Sequence, residues 1–175
     1  MEQLVNEVPA NELRNRPEMR YVPTATIDRW IAAKERQRQE RGFSKETAAQ
    51  AIDIRRSLIR ALHGAGAGIL LGSDAPQVFN VPGFSLHREL ELMVAAGLTP
   101  YEALEAGTAN VARFLELNTG IVEAGREADL VVLDSNPLAD ISSTRRIHGV
   151  MLRGDWYTAA DIEVMLERFR LDEHN

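Results

Sequence analysis

The most constraining feature of the chain is a short apolar run between glycines that ends on an acidic residue. The run extends from Gly66 to Asp74, and Pro76 follows two residues later. An apolar run without polar alternation predicts a strand, at residues 69–71, that is buried on both faces as in a parallel α/β sheet. Such folds place their chemistry at the carboxyl ends of these strands. Asp74 is therefore the leading candidate for a functional residue, and the alternative is an aspartate that only caps a turn.

Composition and charge exclude several functional classes. The 175 residues include 20 Lys and Arg against 26 Asp and Glu, a formal net charge of -6, which leaves no basic excess to neutralise nucleic-acid phosphates. Cysteine is absent, so disulfides and thiolate metal sites are excluded. No stretch approaches the length of a membrane span. We therefore expect a cytoplasmic protein without nucleic-acid or membrane partners, although a removed signal peptide would leave no trace in the sequence.

The pattern of apolar residues divides the chain into four segments. Residues 1–23 are polar and contain three prolines, which predicts an irregular lead-in. Residues 24–118 alternate predicted helices with the buried strand, residues 119–157 predict a small β unit, and residues 158–175 predict a closing helix. The predicted helices cover Thr26 to Arg41 and stretches that begin at Ser44, Ser85, Thr99, Thr108 and Thr158.

Local signals refine these elements. The helix after Ser44 carries an apolar stripe at helical spacing that we expect to face inward; its members are Ala51, Ile54, Leu58, Ile59 and Leu62. Thr99 with Glu102 has the spacing of a capping box, and Thr158 with Asp161 opens the last helix. In the β unit we expect two strand pairs, one joining 121–122 with 130–133 and one joining 150–152 with 156–157.

The number of predicted strands is small for the fold that they indicate. One buried strand cannot form a sheet with two covered faces, and a complete eight-stranded barrel takes about 250 residues. The hairpins of the β unit would likewise leave strand edges exposed unless another segment paired with them. We therefore expect the chain to form the end of a larger fold.

A series of short motifs runs in order along the second half of the chain. It comprises Gly72-Ser73-Asp74, residues 87–92, 96–100, 102–104, 106–112, 120–125, 128–134 and 136–138. In this order the motifs resemble the C-terminal part of the amidohydrolase superfamily, metal-dependent hydrolases with a (β/α)8 barrel, and most closely its imidazolonepropionase-like and metallo-dipeptidase branch. The resemblance implies an α/β fold: the C-terminal part of a TIM-like barrel followed by part of a small β-sandwich domain.

The resemblance also implies a metal site. In the family, the aspartate after the eighth barrel strand binds the active-site metal and accepts a proton from the water that attacks the amide carbon. Asp74 occupies that position here. A carboxylate is a good ligand for a divalent metal, and zinc is the metal that the resemblance favours. Zinc lowers the pKa of bound water to about 7. His87 is not a metal ligand in the family, so we expect it either to support the active-site loop or to lie on the helix surface.

The histidines depart from the family pattern. The four histidines, at positions 63, 87, 148 and 174, include no His-x-His pair, whereas the family requires one together with further ligands on middle strands. Catalytic zinc sites take three protein ligands, and Asp74 offers one. We therefore expect a C-terminal fragment that is inactive and poor in metal by itself. Its parent would hydrolyse a C–N bond in a small-molecule amide, cyclic amide or non-standard peptide.

The surface that such a fragment would expose predicts its oligomeric state, and two alternatives to an enzyme fragment remain. An unpaired barrel strand and half a β domain would expose apolar side chains, so we expect a homo-oligomer. The first alternative to an enzyme fragment is a non-catalytic oligomerisation or interaction module derived from the barrel. The second is a small α/β binding protein that uses the pocket above Asp74 without a metal.

Overall fold

The computed structural model describes residues 8–40 and 45–170. The helices are α1 (Ala10–Arg14), α2 (Thr24–Glu40), α3 (Lys45–Gly64), α4 (Phe84–Ala96), α5 (Pro100–Gly107), α6 (Ala109–Leu115) and α7 (Ala159–Glu167). Two 3-10 helices span Pro17–Tyr21 and Ile141–Arg145, and the strands are β1 (Leu130–Leu133), β2 (Ile147–Leu152) and β3 (Asp155–Thr158). No helix in these described ranges is both long and apolar enough to cross a membrane.

The lead-in differs from the irregular segment that was expected. Over residues 10–21 it contains α1 and the first 3-10 helix. Leu13 is 0% exposed and Met19 is 3% exposed, and both pack in a cluster with Phe79 and Val81 from the loop after Asp74. Burial of these two apolar side chains supplies the tertiary contact that holds so short a helix in place.

The main core lies where α4 and α5 meet. Its buried residues are Leu90, Met93, Leu98, Ala103, Ala106 and Ile141. Ile141 belongs to the second 3-10 helix, so this core joins the helical segment to the β unit that follows it. Thr99 and Glu102 form the capping box that the sequence predicts, and this box fixes the start of α5 against the core.

The expected strand at residues 69–71 is absent: these residues have no regular secondary structure and pair with no strand in the described part of the chain. Two hydrogen bonds hold the backbone of this segment: the Leu71 amide donates to the carbonyl of Ala106 at 2.9 Å, and Nδ2 of Asn110 donates to the carbonyl of Ile69 at 3.4 Å. Ile69 and Leu71 pack on the main core, whereas Leu70, on the opposite face, is 38% exposed. The prediction of burial on both faces is therefore wrong for this chain, because helices cover one face only.

The apolar stripe on α3 is likewise buried on one side and exposed on the other. Ile59 packs against the main core, but Ile54, Leu58 and Leu62 are 69%, 58% and 46% exposed. The expectation that the whole stripe faces inward is wrong, because α3 contacts α4 along one side and the described residues place nothing over the other. Ser44, the predicted cap of this helix, lies outside the described residues.

The β unit is a three-stranded antiparallel sheet in the order β1-β2-β3. The predicted pairing of 150–152 with 156–157 is confirmed, with Val150 opposite Tyr157. Arg153 and Gly154 both have positive φ, of 53° and 91°, as a tight two-residue hairpin turn requires. The other predicted pair is wrong: β1 pairs with β2, and Val122 is 87% exposed, because β2 gives β1 a longer ladder than two residues could.

Two predicted helix starts have different outcomes. Thr158 and Asp161 form a capping box at the start of α7. Ser85 does not cap α4: Gly83, with φ of 80°, holds the N-cap position, and Ser85 lies inside the first turn. A positive φ suits glycine, which has no Cβ to clash with the backbone, and it frees the Ser85 hydroxyl for another contact.

Candidate functional site

Asp74 lies three residues after Leu71, at the start of the loop that leads to α4. Its φ is 57°, a left-handed conformation that costs a non-glycine residue about 1 kcal/mol or more and persists only when neighbours impose it. The carboxylate is exposed. The side-chain amide of Gln77 donates a 2.5 Å hydrogen bond to Oδ2, which orients the carboxylate.

Two buried side chains hold the backbone just before Asp74. The Ser85 hydroxyl donates to the hydroxyl of Ser73 at 2.8 Å, and Nδ2 of Asn80 donates to the Ser73 carbonyl at 2.9 Å. Asn80 is 9% exposed and Ser85 is 8% exposed. These bonds connect the middle of the loop and the first turn of α4 to Ser73. Neither residue could be identified from the sequence, because Asn80 belongs to no motif and Ser85 at a helix start indicated a cap.

A cleft of about 290 Å3 opens between α3 and α4 beside Asp74. Its charged lining comes from both helices: Arg55 and Arg56 from α3, and Arg88 and Glu89 from α4. With Asp74 the lining carries three guanidinium groups and two carboxylates. Such a site can bind a polar or anionic group of a small molecule beside a carboxylate able to take up a proton. No local sequence pattern indicates that Arg88 meets Arg55 and Arg56, since it lies on a different helix.

His87 lies on another side of α4. It is half-buried, and its Nδ1 is 3.1 Å from the hydroxyl of Thr144 in the second 3-10 helix. Burial lowers the pKa of His87, Arg145 lowers it further, and Glu91 acts in the opposite direction. His87 therefore connects α4 to the β unit, and it is not among the residues that line the cleft beside Asp74.

The other histidines are dispersed. His63 at the end of α3 is 3.6 Å from a carboxylate oxygen of Glu102, and His148 on β2 is 3.1 Å from one of Asp134. His174 lies outside the described residues. Over residues 8–40 and 45–170, no three His, Asp or Glu side chains group closely enough to hold a metal ion. The described residues therefore do not fit a catalytic metal by themselves, since such a site takes three protein ligands.

Comparison with known proteins identifies the relatives of the chain. The amidohydrolase family matches residues 31–157. An ochratoxinase from Aspergillus niger is 36% identical over 107 residues, which cover 57% of this chain and 21% of that enzyme. The chain thus spans about a fifth of the curated relative that it matches.

Two solved structures extend the likeness. A putative prolidase from Bifidobacterium longum is 34% identical, with a TM-score of 0.57 over 77% of this chain and 36% of that one. A bottromycin amidohydrolase is 24% identical, with a TM-score of 0.70 over 98% of this chain and 38% of that one. The second likeness is one of fold, and it covers nearly every residue of the chain.

Proposed function

The chain belongs to the amidohydrolase family, and we propose on this premise that it is the C-terminal part of a metal-dependent hydrolase of C–N bonds. The substrate class is a small-molecule amide, cyclic amide or non-standard peptide. The family match over residues 31–157 supports the reaction class, and the likeness in fold to a bottromycin amidohydrolase supports the TIM-like barrel.

The observation that carries this proposal is the placement of Asp74. An exposed carboxylate follows the apolar residues 69–71, and it lines a cleft together with other polar groups. The hydrogen bond from Gln77 to Oδ2 orients the group. Oδ1 accepts no hydrogen bond within the described ranges, so it can collect a proton from an attacking water and pass it to the leaving nitrogen.

A catalytic metal would need further ligands from residues other than those described. When bound, a divalent metal such as zinc makes water nucleophilic at neutral pH. Because Asp74 offers one ligand, we propose that the remaining ligands come from a part of the barrel outside this chain. The chain by itself would then be inactive.

Reconstitution tests this proposal. The chain alone, and the chain joined to a barrel segment that carries the His-x-His pair, are assayed on dipeptides, N-acyl amino acids and cyclic amides. We expect turnover from the joined protein only, and its loss in Asp74→Asn. Turnover by the chain alone, or full activity of the joined Asp74→Asn variant, would contradict it.

A second candidate function is a non-catalytic oligomerisation module. The exposed side chains of Ile54, Leu58 and Leu62 on α3 favour it, since contiguous apolar patches of this kind mark interaction surfaces. The upstream coding sequence separates the candidates. A reading frame with a His-x-His pair favours the enzyme, and its absence favours the module.

A further inference from the structure

The loop after Asp74 contains a turn whose two ends carry side chains that contact the site. The backbone amide of Asn80 donates a 2.9 Å hydrogen bond to the carbonyl of Gln77, and these two residues pair as an isolated antiparallel bridge. The side-chain amide of Gln77 donates to Oδ2 of Asp74. The side-chain amide of Asn80 donates to the carbonyl of Ser73. The conformation of the turn therefore sets where both amide groups lie.

Phe79, at the third position of this four-residue turn, has a backbone conformation that its own side chain disfavours. Its φ is 58°, and a positive φ at this position of a turn favours glycine or asparagine. Bulky residues rarely adopt the left-handed conformation, and it persists where the surrounding structure imposes it. Local preference therefore does not explain why a phenylalanine stands here.

The surroundings of the Phe79 ring give the explanation. The ring is 2% exposed and belongs to a cluster with Leu13 of α1, Met19 of the first 3-10 helix and Ile27 of α2. The ring of Trp30 on α2 meets it edge-on, with centroids 5.5 Å apart and planes at 61°, which is a favoured geometry for an aromatic pair. A cluster built from three N-terminal elements thus holds one side chain of the loop.

We propose that Phe79 is a positioning residue for Asp74. Burial of its ring against the N-terminal elements offsets the strain of the turn and fixes the turn in one conformation. That conformation directs Gln77 to the Asp74 carboxylate and Asn80 to the backbone just before it. The role of Asp74 as a proton acceptor rests on the proposed function, but the positioning itself can be measured in a chain without activity.

Nuclear magnetic resonance of the full chain tests the positioning. Phe79→Gly removes the ring but suits a positive φ, so a turn governed by local preference alone would keep its conformation. Asp74→Gly, at a φ of 57°, removes the acceptor and gives the reference signal of a Gln77 side-chain amide without this bond. In Phe79→Gly we expect the Gln77 signal to move to that reference. The side-chain amide protons of Asn80 should exchange with solvent about tenfold faster or more.

Leu98→Ala is the matched control, because it truncates a side chain of the main core that is also buried, at 4% exposed. It should leave the Gln77 signal and the Asn80 exchange unchanged. Trp30→Leu, which alters the cluster from outside the loop, should change both in the same direction as Phe79→Gly. If circular dichroism shows that the glycine variant is unfolded, Trp30→Leu decides in its place. An unmoved Gln77 signal in the folded variant, or equal changes in Leu98→Ala, would overturn the proposal.

Activity of the joined protein gives a second measurement. Phe79→Gly should lower kcat by about tenfold or more and leave KM unchanged, because a displaced proton acceptor slows the reaction without weakening substrate binding. A kcat equal to that of the joined wild-type protein would contradict a role in the reaction. Absence of turnover in the joined wild-type protein would instead count against the proposed function, since the two amide measurements do not depend on turnover.

Discussion

The hydroxyl of Ser85, in the first turn of α4, donates a 2.8 Å hydrogen bond to the hydroxyl of Ser73, the residue before Asp74. This bond joins the two ends of a loop that also contains Asn80, whose amide donates to the Ser73 carbonyl. The conformation of Asp74, with its positive φ, therefore depends on side chains that lie several residues further along the chain. Polar groups buried in this way contribute both stability and geometry.

Loss of the Ser85 hydroxyl should destabilise the protein measurably. Ser85→Ala removes the donor to Ser73 at a position that is 8% exposed, so we expect the free energy of unfolding to fall by about 1 kcal/mol. Urea denaturation measures the change. Ser57→Ala, at an exposed position on α3, is the control, and an equal effect there would argue against a role for the Ser73 contact.

Removal of the Asp74 charge should abolish most hydrolysis in the reconstituted enzyme. Asp74→Asn keeps the shape of the side chain but loses its basicity, so we expect kcat/KM to fall by about 10²- to 10⁴-fold. Asp134→Asn, which changes another exposed aspartate, should leave kcat/KM unchanged. We expect His87→Ala to cost much less than Asp74→Asn, because His87 contacts Thr144 and lies away from the cleft.

The isolated chain should retain little zinc. Under the proposed function, Asp74 would supply one of the three protein ligands that a catalytic zinc site takes, and the described residues contain no metal-binding group of three. Elemental analysis after dialysis, with the reconstituted protein measured in parallel, provides the test. Stoichiometric zinc in the chain alone would show that it contains a complete ligand set.

The chain should self-associate through α3. Ile54 and Leu58 are 69% and 58% exposed, and burying such side chains against a second copy gains about 1.5–3 kcal/mol each. We expect light scattering at micromolar concentration to show an oligomer, and Leu58→Gln to shift it towards monomer. Ala49→Gln, at another exposed position of α3, should not. A monomeric wild-type protein would contradict the prediction.

His87 should make the protein less stable as the pH falls. Burial holds the pKa of His87 below its ordinary value, with Arg145 adding to the effect and Glu91 opposing it. The unfolded chain, with a His pKa of about 6.5, therefore binds the proton first. Stability from this group is fully present above about pH 6.5 and is lost as the pH falls through the lower pKa of the folded state.

Urea denaturation as a function of pH measures this loss. Between about pH 7.5 and pH 5, the free energy of unfolding should decline more steeply in the wild type than in His87→Gln. His148→Gln, at an exposed position, is the control. If the His148 variant shows the same flattening, or the His87 variant shows none, His87 is not the responsible group.

Family membership could be predicted from the sequence, because it depends on ordered motifs. The motifs from Gly72 to residue 138 carry the resemblance, and the family match over residues 31–157 confirms it. Asp74 stands out because it directly follows an apolar run. The residues that surround Asp74 could not be predicted in this way: Arg55, Arg88 and Asn80 reach the cleft from separate elements, and no local pattern encodes such a meeting.

The sequence by itself determined the features that arise from neighbours in the chain. The capping boxes at Thr99 and Thr158 form because a side chain and a backbone amide three residues apart are already close in a helical turn. The tertiary structure alone decided which strand β1 pairs with, which side of α3 is covered, and that Arg16 and Arg145 meet in one pocket. These outcomes depend on burial and charge between distant segments, and such energies exist only once the chain has folded.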